Sequence, residues 1–251
     1  KATLRLEPRP EARRLIAARF KDVDAAVAAA IALDGRSAPI AALDVVSSGF
    51  VAGTPVFADI PAGGGDDTAG ALVLAELEGY AEEVRLAGDG LSEHGALACE
   101  DIADEERCQL AWEAFDGAPA RLARGRVAGI SDVVVSPAAL QETVRGLDEI
   151  AKRHGLEVLT CIRAEAGAIQ SLFRAPGDAA EGAGQVHAAI NEAVALAAEG
   201  GGLATGSFGA GVLKTSSAGY AGLSAADIGM QLAVTAAFDG EGIFNRGKVV
   251  T

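Results

Sequence analysis

A glycine-rich stretch that ends in a lysine and two hydroxyl residues is the first feature of this sequence that could do chemistry. The stretch TGSFGAGVLKTSS spans residues 205–217. A phosphate-binding loop needs a glycine followed directly by Lys and Ser or Thr, so that backbone N–H groups and the ammonium group converge on one anion. Here Val212 and Leu213 separate Gly211 from Lys214. The spacing therefore favours a tight glycine-rich turn over a nucleoside-triphosphate site.

The side chains that commonly bind metals are few and scattered. The three cysteines (Cys99, Cys108 and Cys161) match no zinc spacing, which predicts reduced thiols in a cytoplasmic protein. His154 follows a predicted helix, whose carboxyl end carries a partial negative charge that suits a histidine at the surface. The other two histidines, His94 and His187, are predicted to be solvated. The sequence therefore predicts no metal site.

The composition is that of a well-packed, acidic protein. Of the 251 residues, 50% are apolar and 22% are charged, which excludes a disordered chain. The net charge of −14 repels nucleic-acid phosphates and anionic lipids, so neither is an expected partner. The longest apolar run, at 24–33, is shorter than the ~20 residues of a membrane span. Because the first residue is Lys1 and the only methionine is Met230, we expect the chain to be part of a longer protein.

The first third of the chain predicts a strand–helix–strand unit. Asp22 or Asp24 can cap an alanine-rich helix that ends before Gly35. The stretch PAGGGDD at 61–67 predicts a flexible loop. Alternating or continuous apolar residues predict strands at 2–7, 13–20, 39–47 and 70–79.

A second unit of the same kind lies further along the chain. Ser136 is a natural N-cap, Pro137 suits the first helical position, and Gly155 supplies a left-handed stop. Between them, helical spacing places Leu140, Val144, Leu147 and Ile150 on one face. The flanking strands are predicted at 131–136, 156–163 and 168–174, with further helices at about 183–199 and 224–237. Two β-α-β units separated by further strands predict an α+β fold of two ferredoxin-like lobes, with an antiparallel sheet flanked by helices.

The carboxyl-terminal stretch AAFDGEGIFNRGKVV, at 236–250, resembles the closing signature FDPxGILNPGK of FAD-linked oxidases of the glycolate oxidase and D-lactate dehydrogenase type. Gly240 and Arg246 replace the usual prolines of that signature. Four more stretches resemble family segments in the same order. The residues that match the signature are Phe238, Asp239, Gly242, Ile243, Asn245, Gly247 and Lys248. The four other stretches are 1–12, 70–79, 106–118 and 132–158.

The resemblance implies that residues 1–251 form the C-terminal cap or substrate domain of such an enzyme, with lobes at approximately 1–100 and 101–251. The N-terminal FAD-binding domain of the family is absent from this chain. FAD would be held mainly by that domain, or by a separate flavin subunit, while Asn245 and Lys248 would contact the cofactor. A turn residue is the alternative interpretation of Asn245.

Members of this family that oxidise 2-hydroxy acids use a base, a carboxylate-binding cation and often a divalent metal. The resemblance aligns Arg163, Gln170, Ser207 and Phe208 with the family's metal and base residues. Phe115 and Ile130 replace an expected arginine and lysine, respectively. No catalytic residue of that chemistry is therefore retained. With Lys214 added, the expected substrate pocket consists of Phe115, Ile130, Arg163, Gln170, Ser207, Phe208 and Lys214.

The remaining alternatives concern single residues and the activity of the whole protein. Arg163 either binds an anionic substrate or the flavin, or pairs with Glu165 or solvent. Lys214 is either a pocket residue or a solvated lysine. An intact flavoenzyme with an apolar pocket for a small molecule is the first expectation for function. A non-catalytic accessory flavin subunit of an oxidase complex is the alternative, and a module that binds small molecules without flavin is a third.

Overall fold

The computed structural model describes residues 2–6, 9–35, 39–58, 60, 70–176, 182–204 and 224–244. The chain divides into two compact units, Lys1–Asp116 (unit 1) and Gly117–Thr251 (unit 2). Both units combine helices with antiparallel strands, so the predicted α+β class is confirmed.

Unit 1 contains four strands in the order β4-β1-β3-β2, and neighbouring strands run antiparallel. Because β3 lies between β1 and β2, helix α1 connects two strands that are not neighbours. This is the split β-α-β arrangement of ferredoxin-like folds. The strands are β1 (Ala12–Phe20), β2 (Ile40–Val46), β3 (Ala71–Gly79) and β4 (Ala98–Ile102). The helices are α1 (Val23–Asp34), α2 (Ser48–Ala52), α3 (Pro55–Ala58), α4 (Ala81–Glu93) and α5 (Glu105–Ala123), the last of which continues into unit 2.

Helix α1 begins as the sequence predicts. The Asp22 carboxylate accepts a hydrogen bond from the backbone N–H of Ala25 at 2.8 Å, which satisfies one of the free donors at the helix start. Val27 and Leu33 are fully buried on the face that packs towards the sheet. Helix α4 packs beside α1, and its Val84 shares one surface groove with Ile16 of β1.

Unit 2 repeats this pattern with three strands, in the order β6-β7-β5. Here β7 lies between β5 and β6, which α6 connects, so a second split β-α-β unit results. The strands are β5 (Ala128–Val134), β6 (Glu157–Arg163) and β7 (Ala168–Arg174). The helices are α6 (Leu140–Arg153), α7 (Gly182–Glu199) and α8 (Ala225–Phe238), with short 3-10 turns at Pro137–Ala139 and Ala164–Ala166.

The predicted apolar face of α6 is confirmed, because Leu140, Val144, Leu147 and Ile150 are all buried. Gly155 has a φ of +64°, as a left-handed stop requires. The predicted cap at Ser136 is only partly right. Ser136 precedes a 3-10 turn that begins at Pro137, and the Ser136 side chain makes no capping hydrogen bond.

Two predictions about elements are wrong. Residues 2–6 form no strand, and Leu4 and Leu6 are 78% and 86% exposed. Alternation alone cannot make a strand without a neighbour, and both edges of β1 are already paired with β3 and β4. The two β-α-β units are also separated mainly by helices, since α4 and α5 flank the single strand β4. The predicted loop at 61–67 lies outside the described residues.

Candidate functional site

Three of the predicted pocket residues lie on one face of the unit 2 sheet. Ile130 on β5 pairs with Leu172 on β7, and Arg163 at the end of β6 pairs with Ala168. Gln170 lies on β7 between Ala168 and Leu172. Because cross-strand partners and alternate residues of a strand point to the same side, Ile130, Arg163 and Gln170 share this side. We call it the far face.

Helix α7 covers the opposite side of the same sheet. A Cβ atom added at Gly129, which neighbours Ile130 on β5, would lie 2.7 Å from Ile190 and 2.9 Å from Val186 of α7. Any side chain at this position would require Ile190 or Val186 to shift, so glycine suits this close packing of strand and helix. The side that α7 covers, which we call the near face, therefore belongs to the core of unit 2. The three predicted pocket residues lie on the far face, which α7 does not cover.

The loop that joins β6 to β7 fixes the ends of the far face. Gly167 has a φ of +63°, and a Cβ atom there would lie 1.9 Å from the carbonyl oxygen of Val135. The backbone N–H of Val135 donates to the carbonyl oxygen of Gly167 at 2.9 Å. This close backbone contact holds Arg163 and Gln170 in position, and no residue with a side chain can replace the glycine without a shift.

Asp132 is a functional candidate that the sequence did not reveal. It lies on β5 opposite Gln170, which in turn lies opposite Cys161, so the three share the far face. Asp132 is completely buried and Cys161 is 3% exposed. A carboxylate is rarely buried without a specific role, because its desolvation costs several kcal/mol. The signal was present in the sequence as a single acidic residue inside a run of β-branched residues.

Phe115 lies in unit 1, on helix α5, and is 2% exposed. Its ring centroid is 6.5 Å from that of Phe50 and 5.8 Å from that of Trp112, the latter in an edge-to-face geometry. The structure thus places Phe115 in an aromatic cluster of unit 1, and its role as a pocket residue stays a prediction.

A polar cleft of about 640 Å³ lies in unit 1, where α5 passes the sheet. Arg13 on its wall pairs with Glu76 and lies 3.0 Å from a carboxylate oxygen of Glu78. The hydrogen bond that Arg13 donates to the Glu76 carboxylate raises the pKa of Arg13, whereas burial raises the pKa of the Cys108 thiol. The thiol therefore stays protonated near neutral pH and is a poor nucleophile. The cleft offers charged groups for binding but no activated group for catalysis.

The described part of the carboxyl-terminal signature forms a rigid turn. The carboxylate of Asp239 accepts hydrogen bonds from the backbone N–H groups of Ile243 at 2.8 Å and Phe244 at 2.7 Å. Gly242 adopts a φ of +64° within this turn. These contacts explain why aspartate and glycine occupy these positions.

The last expectations concern a metal site, a membrane span and the remaining predicted residues. Among the residues that the structure describes, no three His, Cys, Asp or Glu side chains cluster as metal ligands would. In the same part of the chain, every helix is too short or too polar to pass through a bilayer. Five predicted residues lie outside the described ranges: Ser207, Phe208, Lys214, Asn245 and Lys248.

A comparison of sequences shows the family to which this α+β domain belongs. The family described as "FAD linked oxidases, C-terminal domain" matches residues 9–249. The chain therefore belongs to the family of C-terminal domains of FAD-linked oxidases. No curated protein matches the chain in sequence.

Several solved enzyme structures share the fold. p-Cresol methylhydroxylase with substrate bound matches with a TM-score of 0.62 at 12% identity, over 94% of this chain and 52% of that one. The isoeugenol complex of 4-ethylphenol oxidase from Gulosibacter chungangensis matches with a TM-score of 0.62 at 16% identity, over 96% and 54% of the two chains. Alkyldihydroxyacetonephosphate synthase matches with a TM-score of 0.55 at 14% identity, over 93% and 44%. The chain thus spans about half the length of these proteins.

Proposed function

We propose that this chain is the cap or substrate domain of an FAD-dependent oxidoreductase related to glycolate oxidase and D-lactate dehydrogenase, with the metal and general-base residues replaced. It would work with an FAD-binding domain, joined to it or supplied as a separate flavin subunit, in the cytoplasm. The whole chain would form this domain, with lobes at approximately 1–100 and 101–251. FAD, when bound, supplies the two-electron acceptor.

The observation that carries the proposal is the shared far face of unit 2. Ile130 was assigned to the pocket from one stretch, and Arg163 and Gln170 from another, and the strand register brings all three to one side of one sheet. Residues of a binding site must share a surface, and this common side meets that requirement.

The far face offers mixed chemistry for a small substrate. Ile130 and Leu172 would exclude water, and the Gln170 amide can both donate and accept hydrogen bonds. The exposed guanidinium of Arg163 would bind an anionic group of the substrate or the flavin. Ser207, Phe208 and Lys214 would complete the pocket, and Asn245 and Lys248 would contact the flavin.

These residues favour a substrate unlike a metal-chelating 2-hydroxy acid. Ser, Gln and Arg form no plausible ligand set for a divalent cation, so the proposed site uses no metal. Two structural neighbours are named for p-cresol and 4-ethylphenol, which makes para-alkyl phenols useful test compounds beside hydroxy acids.

A non-catalytic accessory flavin subunit is the second candidate. It is favoured because the described strands β5, β6 and β7 place no histidine on the far face, and histidine is the most common general base in enzymes. Such a subunit would relay electrons or support a catalytic partner.

Anaerobic flavin spectroscopy of the intact protein tests the proposal. We expect a yellow protein whose flavin is bleached by an apolar alcohol or phenol but not by lactate or glycolate. Bleaching only by a redox partner protein would favour the accessory subunit. A colourless protein, or bleaching by lactate that a metal chelator abolishes, would contradict the proposal.

A further inference from the structure

The polar cleft of unit 1 has two walls of opposite charge. Strand β1 and the residues before it contribute three arginines, Arg9, Arg13 and Arg14. Helix α5 contributes acidic residues, among them Glu105 and Glu113. All five residues are exposed, so small solutes can reach both walls. A ligand that carries both charges matches this arrangement, whereas a simple anion or cation would meet like charge on one side.

The floor of the cleft is apolar. Leu15 on β1 is the cross-strand partner of Ile102 on β4, and both are buried. On its other side Leu15 pairs with Glu76 of β3, whose carboxylate accepts a hydrogen bond from Arg13. Because cross-strand partners point to the same side of a sheet, these side chains form one row beneath the cleft. The apolar body of a ligand can pack against this row.

Hydrogen bonds along α5 hold the acidic wall in place. The Cys108 thiol donates to the carbonyl oxygen of Ile102 at 3.2 Å, which fixes the start of the helix beside the end of β4. The Gln109 amide donates to the carboxylate of Glu113 at 2.8 Å and thereby orients it. A wall that is ordered before the ligand arrives lowers the entropy cost of binding.

Trp112 adds a hydrogen-bond donor to the same wall. Its indole Nε1 is buried, and it has no hydrogen-bond acceptor among the residues that the structure describes. A buried N–H group without an acceptor is unfavourable, and nearly all such groups in folded proteins have one. A carboxylate or carbonyl oxygen of a ligand would supply the acceptor.

We infer that this cleft binds a zwitterionic small molecule with an apolar body, of the class of an apolar amino acid or dipeptide. Its carboxylate binds at the arginine wall, because a guanidinium group can donate two parallel hydrogen bonds to a carboxylate. Its ammonium group pairs with Glu113, and its apolar body packs against Leu15 and Trp112. The volume of about 640 Å³ is in the usual range for small-molecule sites. The inference goes beyond the proposed function, because this binding requires no flavin.

Isothermal titration calorimetry of the intact protein tests the inference with matched compounds. Leucine and leucyl-leucine carry both charges, at different separations. The compounds 4-methylpentanoate and 3-methylbutylamine keep the leucine side chain but carry only one charge each. We expect at least one zwitterion to bind about fivefold more tightly than either singly charged compound, because each of the latter leaves one wall without a partner.

The pattern of affinities decides between the outcomes. Tighter binding of leucine would identify an amino acid as the ligand, and tighter binding of leucyl-leucine would identify a dipeptide. No binding of either zwitterion, or equally tight binding of a singly charged compound, would overturn the inference. A protein that binds a zwitterion but is colourless would contradict the proposed function alone.

Three substitutions test whether the ligand lies in the cleft. Glu113→Gln and Arg9→Gln each remove one charge from a wall, and Trp112→Phe removes the indole N–H while keeping an aromatic ring. Each should weaken binding of the preferred zwitterion about fivefold. Glu106→Gln and Arg5→Gln are the matched controls, since both residues are exposed and neither lines the cleft. They should leave the affinity unchanged, and equal losses in the cleft variants and the controls would overturn the site.

Discussion

Units 1 and 2 begin with the same order of core elements, a strand, a helix, two strands and a helix, and differ in the element after that helix. In unit 1 this element is the strand β4, which pairs with β1 over Leu15–Arg19. In unit 2 the described residues supply only a single bridge at that place, between Val134 of β5 and Leu203. Among the described residues, the fourth strand of this topology is therefore present in unit 1 and is represented in unit 2 by that one bridge.

The buried polar residues differ between the units as well. In unit 1, Arg19 is 3% exposed and donates hydrogen bonds to the carbonyl oxygens of Phe57, Ile60 and Gly70, so its charge holds chain segments together. In unit 2, Asp132 is buried on the far face beside the proposed pocket. The buried arginine of unit 1 therefore donates to backbone carbonyl groups, whereas the buried carboxylate of unit 2 lies on the sheet face that carries three of the predicted pocket residues.

The largest expected loss of stability follows from a substitution in the loop that joins β6 to β7 of unit 2. Gly167→Ala should lower the free energy of unfolding by at least about 3 kcal/mol, because the added Cβ would meet the carbonyl oxygen of Val135 at 1.9 Å. Gly155→Ala is the matched control, since φ is +64° there but no atom lies within 4 Å. It should cost only about 1–2 kcal/mol. If urea unfolding shows the same loss of free energy of unfolding for Gly167→Ala and Gly155→Ala, the close contact at Gly167 is contradicted.

In unit 1, substitution of the buried Arg19 should lower the free energy of unfolding by a similar amount. Arg19→Met should lower the free energy of unfolding by about 3 kcal/mol, because three carbonyl groups lose a buried donor. Arg14→Met is the comparison, as Arg14 is 44% exposed on its side chain and pairs with Asp101 at 3.3 Å. That change should cost below about 1 kcal/mol. If the two variants unfold at the same urea concentration, Arg19 has no special role.

The smallest effect concerns an ion pair between α6 and α7 of unit 2. Hydrogen bonds from Arg153 and His154 hold the pKa of Glu192 below its usual value. The stabilisation is therefore present above the usual glutamate pKa of about 4.3 and is lost as the pH falls through the lower pKa of the folded state. Because Glu192 is 40% exposed, it contributes only about 0.2–1 kcal/mol.

Thermal unfolding as a function of pH measures this contribution. Glu192→Gln should lower the melting temperature at pH 7 and have little effect below about pH 3. Glu199→Gln on the same helix removes one carboxylate without removing that ion pair, and it should have little effect at either pH. A Glu192→Gln variant that is equally destabilised at both pH values would contradict the assigned cause.

Local patterns in the sequence predicted most of the two ferredoxin-like units. Period-two strands, the Asp22 cap and the apolar face of α6 depend on neighbouring residues and can be recognised locally. The strand at 2–7 failed because pairing requires a partner, which alternation does not reveal. The constraint at Gly167 was not predicted, because the carbonyl group that it meets belongs to Val135, more than thirty residues away in the sequence.

The site was less accessible to prediction than the fold. The resemblance to the family identified Ile130, Arg163 and Gln170, but their common face became visible only through the strand register. Asp132 was not predicted, because its complete burial is a property of the folded chain that a single acidic residue in a strand sequence does not reveal. Ser207, Phe208, Lys214, Asn245 and Lys248 remain predictions.

The central claim is that substrate binds at the far face of unit 2, and the rate of flavin reduction in the intact protein tests it most directly. Gln170 and Ser171 are neighbours on β7 that point to opposite sides of the sheet. The compound used is the apolar alcohol or phenol that reduces the flavin fastest. With it, Gln170→Leu should slow flavin reduction at least about tenfold, because a hydrogen bond to the transition state is lost. Ser171→Ala, on the near face, should leave the rate unchanged. An unchanged rate in Gln170→Leu, or a larger loss in Ser171→Ala, would contradict the account.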